Sequence, residues 1–215
     1  DYLNLRHGVA RLDRWLGREP TDVHRTTWEL SQCTATWFDL PQSQSQSHRE
    51  RVILYLHGGG FIFETPRMHG DLLARLCRAV AARGLMLNDR LAPEHPYPAS
   101  LEDCYTGLQW LAGLPAVDPD RIAIGGSSAG GGLAAALALL VRDRGEFTPM
   151  LQLLVYPMLD DRSVGTHLDD LGHRLWNATS NRFGWQSYLG GADPEVAVPA
   201  RRTDLAGLPP AWLGV

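Results

Sequence analysis

Hydrophobic positions along the chain change period several times, and each change marks an element. Residues 51–56, RVILYL, form a continuous apolar and β-branched run, the pattern of a strand buried on both faces of a sheet. Residues 67–82 carry apolar positions at helical spacing: Met68, Leu72, Leu73, Leu76 and Val80. LMLN (85–88) then reads as a short strand and 99–112 as a helix. RIAIGG (121–126) reads as a strand, 129–142 as a helix, and LQLLVYP (151–157) as another strand. PPAWLGV (209–215) looks like the start of a further strand. Strands alternating with helices imply βαβ units and a mostly parallel sheet sandwiched by helices.

The first 30 residues are more polar, with a loose helical pattern through Leu3, Leu5, Val9, Leu12, Trp15 and Leu16. A strand-like ATWFDL (35–40) leads into PQSQSQSHRE, a polar low-complexity stretch that reads as an exposed loop. There is no internal repeat.

Composition narrows the function classes. The 215 residues suffice for one large domain, and 44% hydrophobic content is ordinary for a globular chain. A net charge of −4 with scattered arginines argues against a nucleic-acid partner, which needs a concentrated basic face. Cys33, Cys77 and Cys104 cannot all pair, and none sits in a metal-ligand spacing; reduced thiols in an intracellular protein are expected. The N-terminus lacks the apolar core of a signal peptide. The most apolar run, Leu133 to Val141, is too short to span a bilayer, which takes about 20 residues. The expectation is a cytoplasmic protein without a membrane span, with homodimerisation left open.

The chemistry concentrates in two segments. Gly126-Ser127-Ser128-Ala129-Gly130 is a G-x-S-x-G motif directly after a strand and directly before an Ala/Leu-rich helix, the context of a nucleophile elbow. A serine hydroxyl attacks a carbonyl only when a sharp turn aims it and a base receives its proton. Such a turn crowds the backbone, hence small residues two positions before and after. The competing readings of a glycine-rich helix start fit less well. No Gly-Lys-Ser/Thr follows, as a P-loop requires, and the glycines are not on the first strand, as a dinucleotide fingerprint requires. The second segment is HGGGF, His57 to Phe61, immediately after RVILYL. Consecutive glycines let backbone N–H groups approach a developing oxyanion with no Cβ in the way.

With HGGGF, RLAPEHPYPA (90–99), GSSAGG (126–131), LLVYPMLD (153–160) and LPPAWLGV (208–215) in this order, the chain resembles the hormone-sensitive-lipase-like carboxylesterases from about residue 50 onward. The resemblance implies an α/β-hydrolase fold, with a mostly parallel central sheet flanked by helices and a helical cap. It assigns 1–35 to an N-terminal cap segment and 36–215 to the catalytic domain, with a cap insertion at about 160–200. It makes Ser128 the nucleophile of a serine carboxylesterase for small short-acyl esters, with oxyanion donors on Gly59, Gly60 and Ala129. His57 and Gly58 would support the oxyanion loop, and Phe61 and Ser127 would line the substrate pocket. Glu94 and His95 are read as structural. The insertion's aromatics, Trp176, Phe183, Trp185 and Tyr188, suit either a lid or ordinary packing. No metal or organic cofactor is implied.

Three departures from the family pattern stand out. Ser127 precedes the nucleophile where Asp or Thr is usual. Asp89 precedes Arg90 where an aromatic is usual. Most important, the triad order Ser, then acid, then His puts the acid and the base beyond Val215. His167 and His173 follow Ser128 but fall in the expected cap, and Asp160 and Asp161 precede it, so none suits the triad. The expectation is the ordered part of a longer chain. The alternative is a non-catalytic small-molecule binder, as the plant gibberellin receptor is among proteins that resemble this group, or an inactive fragment. Ester and amide hydrolysis share this machinery and stay undivided.

Overall fold

The protein is described by a computed structural model covering residues 2–17, 20–39, 50–163 and 176–215. Seven strands form one sheet in the order β1-β2-β4-β3-β5-β6-β7. They are β1 (His24–Glu29), β2 (Thr34–Asp39), β3 (Glu50–Leu56), β4 (Arg83–Asn88), β5 (Val117–Ser127), β6 (Leu151–Val155) and β7 (Ala211–Gly214). From β4 to β7 every neighbour is parallel, whereas β1 and β2 join antiparallel at one edge. The alternation of strand and helical patterns required this parallel arrangement, and the expected elements lie within a few residues of their observed bounds. The polar stretch after residue 40 and the histidines 167 and 173 lie outside the described residues.

Helices α2 (Pro66–Val80), α3 (Ala99–Ala112) and α4 (Ala129–Arg144) make the crossovers. Strand periodicity divides the core. Val52, Leu54 and Leu56 of β3, with Leu85 and Leu87 of β4, pack against α3 and α4. Ile53, Tyr55 and Met86 point the other way, onto Leu73, Ala74 and Cys77 of α2. Helix α1 (Tyr2–Leu16) lies against α2. Helix α5 (Ala178–Leu189) and the short α6 (Pro194–Ala197) belong to the segment between β6 and β7. Cys33, Cys77 and Cys104 are buried and free.

Strand β1 has no counterpart in the sequence reading. HRTTWE alternates no apolar face, and it is mostly exposed at the sheet edge. It exists because a tight turn, with Leu30 N–H donating to the Cys33 carbonyl at 2.9 Å, folds it back on β2. Thr27 then pairs with Thr36, their hydroxyls 3.3 Å apart, a cross-strand contact that polar edge strands favour. Residues 24–29, in the segment expected to be cap, are thus sheet.

Candidate active site

The site is built where β3 and β5, neighbours at the centre of the sheet, end at the same level. Beyond β5 the chain turns at once into α4, and Ser128 takes φ +55° and ψ −119°. A non-glycine residue in that region costs about 1–3 kcal/mol and persists only where its surroundings over-determine it. They do. Ser128 N–H donates to the Val155 carbonyl at 2.9 Å, and its own carbonyl accepts from Gly132 at 3.0 Å and Met158 at 2.9 Å.

The glycines around it are forced by main chain. A Cβ at Gly126 would stand 2.4 Å from the Gly130 carbonyl carbon and 2.5 Å from the Leu56 oxygen. A Cβ at Gly130 would meet the Leu56 oxygen at 2.1 Å and the His57 oxygen at 2.5 Å. The turn therefore packs directly against the end of β3. Gly132 repeats the theme one turn on, where a Cβ would meet the Met158 oxygen at 2.2 Å. Ser128 itself is half-buried, and the free N–H groups at the start of α4 lie behind it.

The loop after β3 runs alongside. Gly58 is close to the Ser127 carbonyl, and Gly59 (φ +129°) and Gly60 (φ +61°) use backbone open chiefly to glycine. The Gly59 carbonyl accepts from Ile62 at 3.1 Å and Phe63 at 2.9 Å, closing a tight turn. Among the described residues, no loop or turn carbonyl takes the N–H of Gly59, Gly60 or Ala129. The half-buried Ser128 thus stands beside the amides of Gly59, Gly60 and Ala129.

His57 is buried behind this loop. Its Nδ1–H donates to the Gly58 carbonyl at 2.6 Å, so Nε2 carries the lone pair. Nε2 has no hydrogen-bond partner and lies 3.8 Å from Asp89 Oδ1. Burial pushes the His57 pKa down and raises that of Asp89 to about 7. At this separation desolvation outweighs the mutual attraction, and both groups are drawn towards their neutral forms. Thr65 completes the support by donating to the Gly58 carbonyl at 2.8 Å.

The two residues expected to line the pocket are both buried. The Ser127 side chain is wholly buried, its hydroxyl 2.5 Å from the Tyr55 hydroxyl on the α2 side of the sheet, because successive residues of β5 face opposite ways. It lines no pocket. Phe61 (φ +67°) is also buried, stacked on Tyr188 at 4.3 Å and packed on Trp185 at 5.0 Å. It packs the glycine loop against α5. Trp176 touches Gly60, and a Cβ on Gly184 would stand 2.9 Å from the Gly60 carbonyl oxygen, so α5 packs closely over the glycines.

The sequence reading gave α1 no part in fixing these loops. Tyr2 hydroxyl donates to the carbonyls of Ile62 (3.2 Å) and Ala92 (3.0 Å). Arg6 donates to the same two, at 3.0 and 2.6 Å, and pairs with Glu94 at 2.8 Å. The signal was present as an aromatic and an arginine at i, i+4, but polar residues on a short helix point nowhere in particular until the partner surface is known. The structural role read for RLAPEHP agrees with the geometry: Arg90 makes a two-pronged pair with buried Asp103 through Nε and Nη2.

A separate cavity of about 420 Å³ opens between the β1–β2 flank and the start of α2, lined by Arg25, Thr27, Phe38, Arg67 and Met86 among others; its lining includes none of the loops around Ser128. Among the described residues, no cluster of His, Cys, Asp and Glu is arranged to hold a metal ion, and no helix is long and apolar enough to cross a membrane.

Comparison with known proteins agrees with this architecture. Residues 53–215 match the sequence profile of a family described as the alpha/beta hydrolase fold, and the chain belongs to it. It is 35% identical over 206 residues to an acetyl-hydrolase of Streptomyces hygroscopicus, covering 93% of this chain and 64% of that protein. It is 35% identical over 172 residues to esterase LipI of Mycobacterium tuberculosis, covering 76% of this chain and 54% of LipI. The chain thus spans about half to two thirds of these relatives. Among solved structures, a bacterial heroin esterase superposes with a TM-score of 0.87 at 30% identity, covering 99% of this chain and 73% of that one. An esterase of the bacterial hormone-sensitive lipase family gives 0.82 at 33% identity, with 94% and 68% covered. The resemblance read from the motifs holds.

Proposed function

We propose that these residues form the nucleophile and oxyanion hole of a serine carboxylesterase acting on small, short-acyl esters. The observation that carries the reading is Ser128 at φ +55°, pinned between β5 and α4 by main-chain contacts, beside a glycine loop whose Gly59 and Gly60 amides meet no loop or turn carbonyl among the described residues. Ser128 Oγ adds to the ester carbonyl while a base takes its proton, and the oxyanion is held by the N–H groups of Gly59, Gly60 and Ala129. Collapse releases the alcohol, protonated by the same base, and leaves an acyl-serine that water cleaves to the acid.

The base is not His57, whose Nδ1 serves the Gly58 carbonyl and whose burial seals it behind the loop. In this proposal the base and its acid come from the whole protein, outside residues 1–215. The cap comprises α1 and the segment between β6 and β7. In the full-length protein, Ser128→Ala lowers hydrolysis of a short-chain nitrophenyl ester by about four to six orders of magnitude, and the acyl adduct seen by mass spectrometry in the parent disappears. Unchanged hydrolysis in the variant sinks the reading. Tight small-molecule binding without turnover in the parent replaces it with a binding protein.

A further inference from the structure

One peptide carries both a support and a donor of the glycine loop. The Gly58–Gly59 bond is trans and planar, so its C=O and N–H point in opposite directions. The Gly58 carbonyl faces two buried side chains, accepting from His57 Nδ1 at 2.6 Å and from the Thr65 hydroxyl at 2.8 Å. The Gly59 N–H faces the other way, and whatever turns that carbonyl turns this donor. Behind the His57 ring, Nε2 carries a lone pair with no hydrogen-bond partner, 3.8 Å from Asp89 Oδ1. Asn88 adjoins the same ring; its Nδ2 donates to Glu64 at 2.8 Å, and its buried Oδ1 has no partner. The His57 and Asp89 side chains are 2% and 3% exposed. Two acceptors facing each other in so dry a place repel, unless one of them carries a proton. The titratable groups packed around the pair are mostly acids: Glu64 before α2, Asp13 on α1 and Asp103 on α3. His69 on α2 has its Nδ1–H committed to the Thr65 carbonyl at 2.8 Å, and Arg90 is given to Asp103. Each acid favours keeping a proton on the pair.

We infer that Asp89 is a positioning residue for the Gly59 N–H: as a protonated carboxyl it donates to His57 Nε2, and His57 Nδ1–H in turn holds the Gly58 carbonyl of the same peptide. The inference rests on the esterase reading of Ser128 and adds to it a residue that the motifs do not name. Hydrogen bonds in a chain polarise one another, so a donor on Nε2 makes Nδ1–H a stronger donor. A carbonyl held more strongly leaves the N–H of its peptide more firmly aimed and better able to stabilise an oxyanion. The 3.8 Å between Nε2 and Oδ1 is longer than a hydrogen bond, and a movement of about 1 Å closes it. When Asp89 gives its proton to solvent, the carboxylate faces the Nε2 lone pair and that approach is reversed. The carboxyl stands where the resembled family has an aromatic, so this control is particular to the present chain.

The test follows ester hydrolysis by the full-length parent, Asp89→Asn and Asp89→Leu across neutral pH. Asparagine keeps an N–H donor at this place and cannot ionise, whereas leucine keeps the volume and offers no donor. The catalytic base is common to all three, so its titration cancels in a ratio of rates. The expected ratio of D89N kcat to parent kcat is flat in acid and climbs about tenfold as pH rises through about 7, where burial puts the Asp89 carboxyl, with KM unmoved. D89L is slow at every pH. In the same range the His57 Nδ1–H proton resonance, read in protein carrying nitrogen-15 histidine, shifts in the parent and stays fixed in D89N. A carboxyl with a merely structural role moves neither quantity. A constant ratio overturns the inference, as does a His57 resonance in the parent that ignores pH. Ser128→Ala separates its failure from that of the esterase reading. Hydrolysis unchanged in that variant removes the reading and the oxyanion role together; hydrolysis abolished there, with a constant D89N ratio, removes the role of Asp89 alone.

Discussion

The turn between β5 and α4 and the loop after β3 run side by side at Ser128, yet they are fixed by different means. In the turn, the neighbours that exclude a side chain are carbonyl groups of Leu56, His57 and Gly130. In the loop, Gly59 is likewise closed off by main chain, the Phe63 carbonyl, but Gly60 is closed off by the ring of Trp176, and side-chain support comes from His57, Thr65, Tyr2 and Arg6. Main chain at the end of a central strand cannot give way, whereas side chains from other segments can. The turn at Ser128 is therefore held rigidly, and the Gly60 part of the glycine loop is held adjustably, by groups that substitution or pH can alter.

Adding one methyl group on each side tests the contrast most severely. Gly130→Ala places a Cβ 2.1 Å from the Leu56 oxygen, and no side-chain movement relieves it. The expected cost exceeds about 4 kcal/mol, a large part of the stability of an ordinary domain. Urea denaturation or a soluble-expression assay reads it directly. If Gly130→Ala is as mild as a surface substitution, main-chain contact does not fix the turn.

Next in size is the pH dependence that Asp89 imposes behind the loop. Burial raises its carboxyl from 3.8 to about 7. The folded protein thus keeps a proton that the unfolded chain gives up between those values. The stability from this group is complete below about pH 4 and is lost as pH rises through about 7, about 4 kcal/mol in all. His57, pushed down by burial, adds a slope of the opposite sign below its unfolded value, but it does so in both proteins being compared. Asp89→Asn cannot ionise, so its stability should gain on the parent from pH 4 to 7 and then run level. Parallel curves across that range mean that Asp89 is not sealed from water.

How much of this was legible in the sequence differs between the two regions for the same physical reason. The elbow announced itself, since contacts made by main chain leave only glycine as a solution, and Gly126 and Gly130 stand at fixed spacing from Ser128. The HGGGF loop was equally plain. Its anchors were not. Tyr2, Arg6 and Thr65 act through side chains whose partners are distant in the chain, and such pairings leave no periodic trace. The burial of Ser127 beneath the sheet was not legible, because a motif gives position along the chain but not which face of the sheet a side chain takes. Strand β1 was missed because an edge strand facing water needs no apolar pattern.

Gly60→Ala is the milder counterpart of the first substitution. The new Cβ would overlap the Trp176 ring at 2.1 Å, and that ring can swing aside. A φ of +61° adds its own penalty for any residue with a Cβ. Together these should cost about 1–2 kcal/mol, leaving the protein folded. Displacing an oxyanion donor is the larger consequence, lowering ester hydrolysis by the full-length protein about a hundredfold. A stability loss equal to that of Gly130→Ala removes the distinction between the two loops.

The smallest effect sharpens the comparison most, because it acts on the oxyanion loop alone. Arg6 reaches from α1 to the carbonyls of Ile62 and Ala92 and to Glu94, so it ties the end of the glycine loop to the RLAPEHP segment. Arg6→Ala leaves two carbonyls short of a donor, although Tyr2 still serves both. The expected loss of stability is about 1 kcal/mol, the ordinary net worth of such a hydrogen bond. If the loop is adjustable, the amides of Gly59 and Gly60 drift by a fraction of an ångström and kcat falls severalfold while KM holds. The rate of Ser128 labelling by a small sulfonyl fluoride falls with it, since that reaction uses the same hole. Loss of stability with kcat and labelling intact would show instead that the loop is as rigid as the elbow and that α1 merely rests upon it.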